Sequence, residues 1–260
     1  MSARSVIVTG AAEGIGAACA RRFAENGDHL VLVDKDEEAG RAMAHDLSRE
    51  DRQVSFVQAD ISSRLSVHNI IAETLESFDR IDVLVHAAVA HFEAPFMETS
   101  EEDFSRVIDH NLKGSFLINQ AVAKQMVRQI EDLGEQNLNA VSDQAIVNIG
   151  SVEGITTQAD HVAFAASQGG LHQLTKAVAL SLSPHGIRVN TVGVGPMRGE
   201  GKTQATDDPV SALARVGEPE DAANVAWFLT SKESAFVTGQ TIFVDGGQLV
   251  RNHHANETRS

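Results

Sequence analysis

The chain has 260 residues, of which 42% are hydrophobic and 22% are charged, as is typical of a globular protein with a substantial core. Its 36 acidic residues outnumber 21 Lys and Arg residues, so the net charge is −15 at neutral pH. This excess of negative charge argues against a nucleic-acid or membrane partner, because basic surfaces supply most of the affinity for both.

Cysteine content and the start of the chain indicate the compartment. The single cysteine, Cys19, excludes an internal disulfide and favours a reducing environment. Its place on the apolar face of a predicted helix favours a buried structural thiol over a reactive one. The first predicted strand begins at residue 5, so we expect no signal peptide. No apolar run approaches the ~18 residues of a membrane span. We expect a cytoplasmic protein.

Three glycines follow the first predicted strand, residues 5–9. Glycines at a strand-to-helix turn let the backbone approach a phosphate, and the helix N-terminus offers free N–H groups. A glycine-rich turn without a ligand is the alternative when this motif is taken alone. The candidate phosphate-binding residues are Gly10, Glu13, Gly14, Ile15 and Gly16.

A carboxylate ends the second predicted strand. Asp34 lies 18 residues after Gly16. An acid at this position accepts hydrogen bonds from the adenosine ribose and repels a 2′-phosphate. We expect the neighbouring Lys35 to point away from the ribose. The sequence therefore predicts NAD rather than NADP as the cofactor.

Strands and helices alternate along the chain, which predicts a parallel sheet covered on both faces. The predicted fold is a single α/β Rossmann domain, residues 1–250, with a doubly wound, seven-stranded parallel sheet and ligands at the carboxyl ends of the strands. The two longest predicted helices span residues 101–130 and 162–183. The predicted strands are residues 5–9, 29–34, 53–58, 82–87, 144–149, 187–192 and 241–244.

Three segments stand apart from this pattern. Residues 131–143 are polar and acidic and indicate a surface insertion, whereas residues 195–215 are rich in Gly, Thr and Asp, as expected of a substrate lid. Residues 251–260 are a polar tail. Its His253–His254 pair has the chemistry to bind a metal, but a solvated tail is the better interpretation. We expect no metal site.

The sequence TGAAEGIG at residues 9–16 resembles the Thr-Gly-x-x-x-Gly-Ile-Gly motif of the short-chain dehydrogenase/reductase (SDR) family, and the likeness extends to VDGG at residues 244–247. The resemblance implies NAD-dependent hydride transfer between an alcohol and a carbonyl. Substrate identity is not readable from the lid. Further cofactor contacts that the resemblance implies are Asp60, which would hold the adenine amino group, Ile61, Ala88 and Thr203.

Residues 86–89, His-Ala-Ala-Val, stand where the family has Asn-Asn-Ala-Gly. His86 is then either a tolerated strand-end substitution or a new polar group near the cofactor. Asn111 matches the family Asn that locally disturbs a long helix and holds a water of the proton relay.

The resemblance breaks at the catalytic pair. Ser151 resembles the family's catalytic Ser, with a turn cap as the alternative role. Thirteen residues later, Phe164 and Gln168 stand where the family has Tyr and Lys, and the chain contains no tyrosine. Phe cannot transfer a proton, and the neutral Gln168, although able to hydrogen-bond a ribose, cannot lower a pKa by its charge. General acid–base help is worth about 10²–10⁴ in rate, so the family's own mechanism predicts a nearly inert site.

Three interpretations remain. In the first, another residue transfers the proton, and His161 is the best candidate because it precedes Phe164 by three residues and imidazole titrates near neutral pH. His91, Glu153 and His86 are weaker candidates. In the second, the protein binds NAD without turnover and has a sensing or partner role. In the third, the pocket performs a non-redox reaction.

The two longest predicted helices carry more apolar residues than one buried face needs. We therefore expect a homodimer or homotetramer built on them. The apolar residues in question are Phe116, Ile118, Val122, Leu171, Leu174 and Val178.

Overall fold

The structure is a computed structural model that describes residues 3–132, 143–199 and 211–251. These residues form a seven-stranded, all-parallel sheet with the strand order β3-β2-β1-β4-β5-β6-β7. The predicted α/β fold with its doubly wound sheet is confirmed. The strands are β1 (Ser5–Thr9), β2 (His29–Asp34), β3 (Val54–Gln58), β4 (Val83–His86), β5 (Ala145–Ser151), β6 (Arg188–Val194) and β7 (Thr241–Val244).

Helices cover both faces of the sheet. Side chains alternate along β1, so Val6 and Val8 pack with the helices on one face of the sheet and Ile7 packs with the helices on the other face. Period-2 alternation is what a sheet buried on both faces requires. The α-helices in the described residues are α1 (Gly14–Glu25), α2 (Glu37–Leu47), α3 (Arg64–Phe78), α4 (Glu101–Ile108), α5 (Gly114–Asp132), α6 (Val162–Leu182) and α7 (Pro219–Thr230).

The long helix predicted over residues 101–130 is not uniform. A π-turn, Asp109–Lys113, separates α4 from α5. Within it Asn111 is buried, and its side chain bonds both backbone groups of Ala90, accepting from the N–H at 2.7 Å and donating to the carbonyl at 2.9 Å. The π-turn therefore lies where this helix is hydrogen-bonded, through Asn111, to the segment after β4.

Two strands are longer at their carboxyl ends than predicted. β5 and β6 stay paired through Ser151 and Val194, two residues beyond the predicted ends. Ser151 is therefore the last residue of a strand rather than part of a loop, so the sheet fixes its backbone.

Cys19 is fully buried on α1, as predicted. Burial raises the pKa of its thiol to about 12. No helix of the described residues is long and apolar enough to cross a membrane.

The apolar surplus expected for an oligomer is smaller than the sequence suggested. Ile118 and Val122 pack inside the chain, because they line the face that α5 turns toward the sheet, and Leu171 of α6 is buried as well. Leu174 and Val178 are partly buried. Phe116 remains exposed, with 41% of its surface accessible.

Several predicted features lie outside the described residues. They are residues 133–142 of the predicted insertion, residues 200–210 of the predicted lid with Thr203, and residues 252–260 of the tail with His253 and His254.

Candidate active site

A cavity of about 230 Å³ opens at the carboxyl ends of β1, β2 and β4. It brings together most of the residues predicted to bind a cofactor. The predicted residues that line it are Gly10, Glu13, Gly14, Ile15, Gly16, Asp34, Ile61 and Ala88.

The turn between β1 and α1 can pack as closely as it does only because it is built from glycines. Gly10 has φ +67°, and a Cβ there would lie 2.8 Å from the Ala88 nitrogen. A Cβ on Gly16 would overlap the Gly10 carbonyl oxygen. Gly14 has φ +54° and faces open space, and no side chain caps the start of α1. The free N–H groups at this helix start fit a diphosphate.

Asp34 is held at the end of β2 by the backbone. Its Oδ2 accepts from the Ala12 N–H at 3.0 Å and its Oδ1 from the Asp36 N–H at 3.1 Å. Each carboxylate oxygen keeps a free lone pair, so the group can still accept hydrogen bonds from a ribose.

Lys35 also lines this cavity. Its Nζ lies 3.0 Å from Asp60 Oδ2, because that carboxylate attracts it. The direction of this side chain relative to a bound ribose stays a prediction. Burial opposes ionisation of Asp60, but hydrogen bonds from Ser62 and Lys35 outweigh it and lower the pKa of Asp60 to about 2. In the described residues the Asp60 carboxylate therefore already contacts Ser62 and Lys35, and His110 Nδ1 lies 3.8 Å from it.

His86 is buried beneath this cavity rather than facing it. Its Nδ1 lies 2.7 Å from Thr9 Oγ1 and its Nε2 lies 2.8 Å from Ser115 Oγ. Burial, with a smaller contribution from His110, lowers the pKa of His86 to about 3. The ring is neutral at physiological pH and both nitrogens are satisfied, which makes it a structural strand-end substitution.

A larger cavity of about 1110 Å³ adjoins the first, and Ala87, Val89 and His91 line both. It lies at the carboxyl ends of β5, β6 and β7. Of the predicted catalytic residues, it brings together Ser151, His161, Phe164 and Gln168.

Asn111 lies outside this wall, where it is 2% exposed. Both Nδ2 hydrogens are used, by the Ala90 carbonyl and by Ser167 Oγ at 3.1 Å. Only a lone pair on Oδ1 is left for a water.

Ser151 combines a capping contact with a free donor. Its Oγ accepts from the Glu153 N–H at 3.1 Å, so the predicted turn cap is present. No acceptor for the hydroxyl hydrogen is found among the described residues, and Ser151 lines the larger cavity. A capping role and a hydrogen bond to a substrate oxygen are therefore compatible.

His161 has a carboxylate partner that the sequence analysis did not identify. Its Nδ1 lies 2.9 Å and 3.0 Å from the two oxygens of Glu153. Its Nε2 lies 3.7 Å from Glu93 Oε2. The ring meets Phe164 edge-on, with centroids 6.2 Å apart. The chain from Glu153 to His161 runs through a 3₁₀ turn and a loop to the N-cap of α6, so no single helical or strand period relates the two side chains.

Gln168 is 1% exposed, and its Oε1 has no hydrogen-bond partner among the described residues. The next turn of α6 places His172 beside it, with an equally unpartnered Nε2. A buried acceptor without a donor lowers the stability of the fold. The Gln168 oxygen is therefore suited to accept a hydrogen bond from a hydroxyl group of a bound molecule.

Comparisons with known proteins agree with this geometry. A family model described as enoyl-(acyl carrier protein) reductase matches residues 10–248. An uncharacterised oxidoreductase of Thermotoga maritima is 32% identical, and the match covers 96% of this chain and 98% of that protein. A short-chain dehydrogenase/reductase of Armillaria gallica is 34% identical, covering 94% and 95% of the two chains.

The solved structure of a short-chain dehydrogenase from Bacillus anthracis has a TM-score of 0.87 and 27% identity, and the match covers 96% of this chain and 98% of that one. Members of this family generally use nicotinamide cofactors. The extent of these matches shows that the chain belongs to the short-chain dehydrogenase/reductase family of oxidoreductases.

Proposed function

We propose that the protein is an NAD(H)-dependent oxidoreductase that acts on an alcohol or carbonyl and uses His161 in place of the family's Tyr as the proton-transfer group. The observation that carries this proposal is the placement of His161. One nitrogen is held by Glu153, and the ring lines the larger cavity beside Ser151 and Phe164.

The first cavity supports NAD binding. The glycine turn and the start of α1 would hold the diphosphate, and Asp34 would accept hydrogen bonds from the adenosine ribose. Gln168 Oε1 would accept from the nicotinamide ribose. The bound cofactor supplies or accepts the hydride at its nicotinamide ring.

The chain's own residues supply the remaining steps. Ser151 donates a hydrogen bond to the substrate oxygen and stabilises the charge that develops there. His161 gives that oxygen a proton during reduction and takes one during oxidation, as a general acid and a general base. Phe164 supplies an apolar wall and no proton.

We also propose a cytoplasmic location for the protein. The single cysteine is reduced and buried, and a soluble nicotinamide cofactor is available in that compartment. A homodimer or homotetramer remains our expectation for the assembly.

A panel of alcohols and carbonyls, assayed with NAD and NADH, tests the proposal. The natural protein should turn over at least one of them, and His161→Gln should lower kcat by about 10²–10⁴ while the Kd of NADH stays unchanged. His45→Gln, a change at an exposed histidine on α2, is the matched control and should keep full activity.

Failure of the whole panel would contradict the proposal. If NADH still bound in that case, an NAD-binding protein without turnover would become the better interpretation. Turnover that His161→Gln leaves intact would show that another group transfers the proton.

A further inference from the structure

We infer that Glu153 is a positioning residue, which fixes the tautomer and the ring orientation of His161; the inference rests on the proposed function of that histidine. A carboxylate can only accept hydrogen bonds. Paired with it, Nδ1 of a neutral imidazole must carry the hydrogen. Nε2 is then the nitrogen that exchanges a proton with a substrate.

The contact geometry supports a fixed ring. Both oxygens of Glu153 lie at nearly equal distances from Nδ1, 2.9 Å and 3.0 Å. The Glu153 side chain is 10% exposed, whereas that of Glu93, the carboxylate near Nε2, is 64% exposed and 3.7 Å away. Exposed charges are weakened by solvent. Glu153 is therefore the partner that can hold the ring, and Glu93 leaves Nε2 open to the cavity.

Glu153 is itself anchored to rigid elements. It lies in the 3₁₀ turn Val152–Gly154, directly after β5, and its N–H donates to Ser151 Oγ. A Cβ on Gly154 would overlap the His172 ring, so this turn packs closely on α6. His161 is the N-cap residue of the same helix. The carboxylate and the imidazole thus belong to two packed elements whose separation is fixed.

A third side chain determines what an amide would do in place of the carboxylate. Gln158 Nε2 donates to Glu153 Oε1 at 3.3 Å. In Glu153→Gln, that donor would favour the amide oxygen at the Oε1 position, 2.9 Å from Nδ1, and the amide NH₂ at the Oε2 position, 3.0 Å from Nδ1. An NH₂ can bond Nδ1 only if Nδ1 accepts, so the amide stabilises the form with the ring hydrogen on Nε2, which the carboxylate does not. An amide in place of the carboxylate of a carboxylate–histidine pair gives the wrong tautomer in just this way.

The first experiment measures the tautomer without turnover. Ring ¹⁵N shifts are recorded on the cofactor-free protein at a pH where the ring is neutral, and the His161 signals are identified by their loss in His161→Gln. The natural protein and Glu153→Asp should show the Nδ1–H form. Glu153→Gln should show mainly the Nε2–H form. The control, Glu37→Gln, removes an exposed carboxylate paired with Arg41 and should change nothing.

The second experiment measures turnover. Glu153→Gln should lower kcat by about 10²–10⁴, with the Kd of NADH unchanged. Glu153→Asp should recover part of that loss because it restores a charged acceptor. The melting temperature of each variant is measured as well, and Glu153→Asp keeps the test open if the amide variant does not fold.

An unchanged tautomer in Glu153→Gln would overturn the inference. So would a changed tautomer with full kcat. If the natural protein has no turnover at all, the proposed function fails. The tautomer measurement then decides by itself whether Glu153 fixes the ring.

Discussion

The imidazole of His91 lies on the ring of Phe164, with centroids 4.6 Å apart and planes inclined by 27°. His91 lines both cavities, so the stacked pair lies where the first cavity meets the larger one. Burial lowers the pKa of His91, despite the opposing effect of the nearby Glu153. This ring is therefore neutral at physiological pH. It is better suited to packing against Phe164 than to donating a proton, unlike His161.

Introducing a Tyr at position 164 and a Lys at position 168 should increase turnover. Phe164→Tyr places a phenol next to Ser151, and Gln168→Lys adds the cation that lowers its pKa. We expect the double variant to raise kcat for NADH-linked carbonyl reduction above that of the natural protein. The Gln168→Lys single variant is the control and should gain little. A double variant that binds NADH but gains no activity would show that other parts of the pocket differ from those of active relatives.

NADH should bind more tightly than NADPH. The Asp34 carboxylate would lie against a 2′-phosphate, and about 1.4 kcal/mol of repulsion is enough for a tenfold preference. Fluorescence titration measures both affinities. Asp34→Ala should narrow the difference, whereas Lys35→Ala should widen it, since the lysine lies on the same cavity wall. Equal affinities in the natural protein would contradict this prediction.

Stability should fall as the pH is lowered, in part because of His86. Its folded pKa is about 3, below the ordinary value of 6.5. The unfolded chain therefore binds the proton more readily between these values. This contribution is complete above pH 6.5 and is lost as the pH falls toward 3. His86→Asn should reduce the slope between pH 7 and pH 5, by up to about 1.4 kcal/mol per pH unit.

Urea denaturation at each pH measures that slope. His45→Asn is the control, because its side chain is 91% exposed, and it should keep the natural slope. Three further histidines, His91, His110 and His172, also have lowered pKa values, each mainly through desolvation of the ring. A pH dependence therefore persists in His86→Asn, and only a slope equal to that of the natural protein would contradict the prediction.

The assembly should be a dimer or tetramer. On α5 and α6 the exposed apolar side chains are Phe116, 41% accessible, and Leu180, 77% accessible, and covering them would stabilise an interface. Light scattering at micromolar concentration should give a multiple of 27.8 kDa. Phe116→Glu with Leu180→Glu should lower that mass. Phe236→Glu, a change at an exposed apolar residue outside these helices, is the control. A monomer mass for the natural protein would refute the expectation.

Local patterns were enough to predict the sheet and to single out most of the residues that line the smaller cavity. Strand alternation and the glycine turn are encoded within short windows of sequence, and β1 with Asp34 lies where they indicated. The contact of Lys35 with Asp60 was not predictable in this way, because Asp60 lies 25 residues further along the chain and is brought close only by the pairing of β2 with β3.

The contacts of the larger cavity were less predictable, because they too join residues that lie on separate elements of the fold. The central contact joins a turn after β5 to the first residue before α6, so neither periodicity nor motif spacing reports it. The π-turn at Asn111 and the stacking of His91 on Phe164 likewise depend on packing between separate elements.

The buried thiol of Cys19 makes the protein convenient for spectroscopic labelling. Reagents for thiols react with the thiolate, and this side chain is inaccessible and has its pKa raised to about 12. Maleimide dyes should therefore leave the folded natural chain unmodified. A cysteine placed at an exposed position such as Met97, which is 90% accessible, would carry a single dye and needs no prior removal of Cys19.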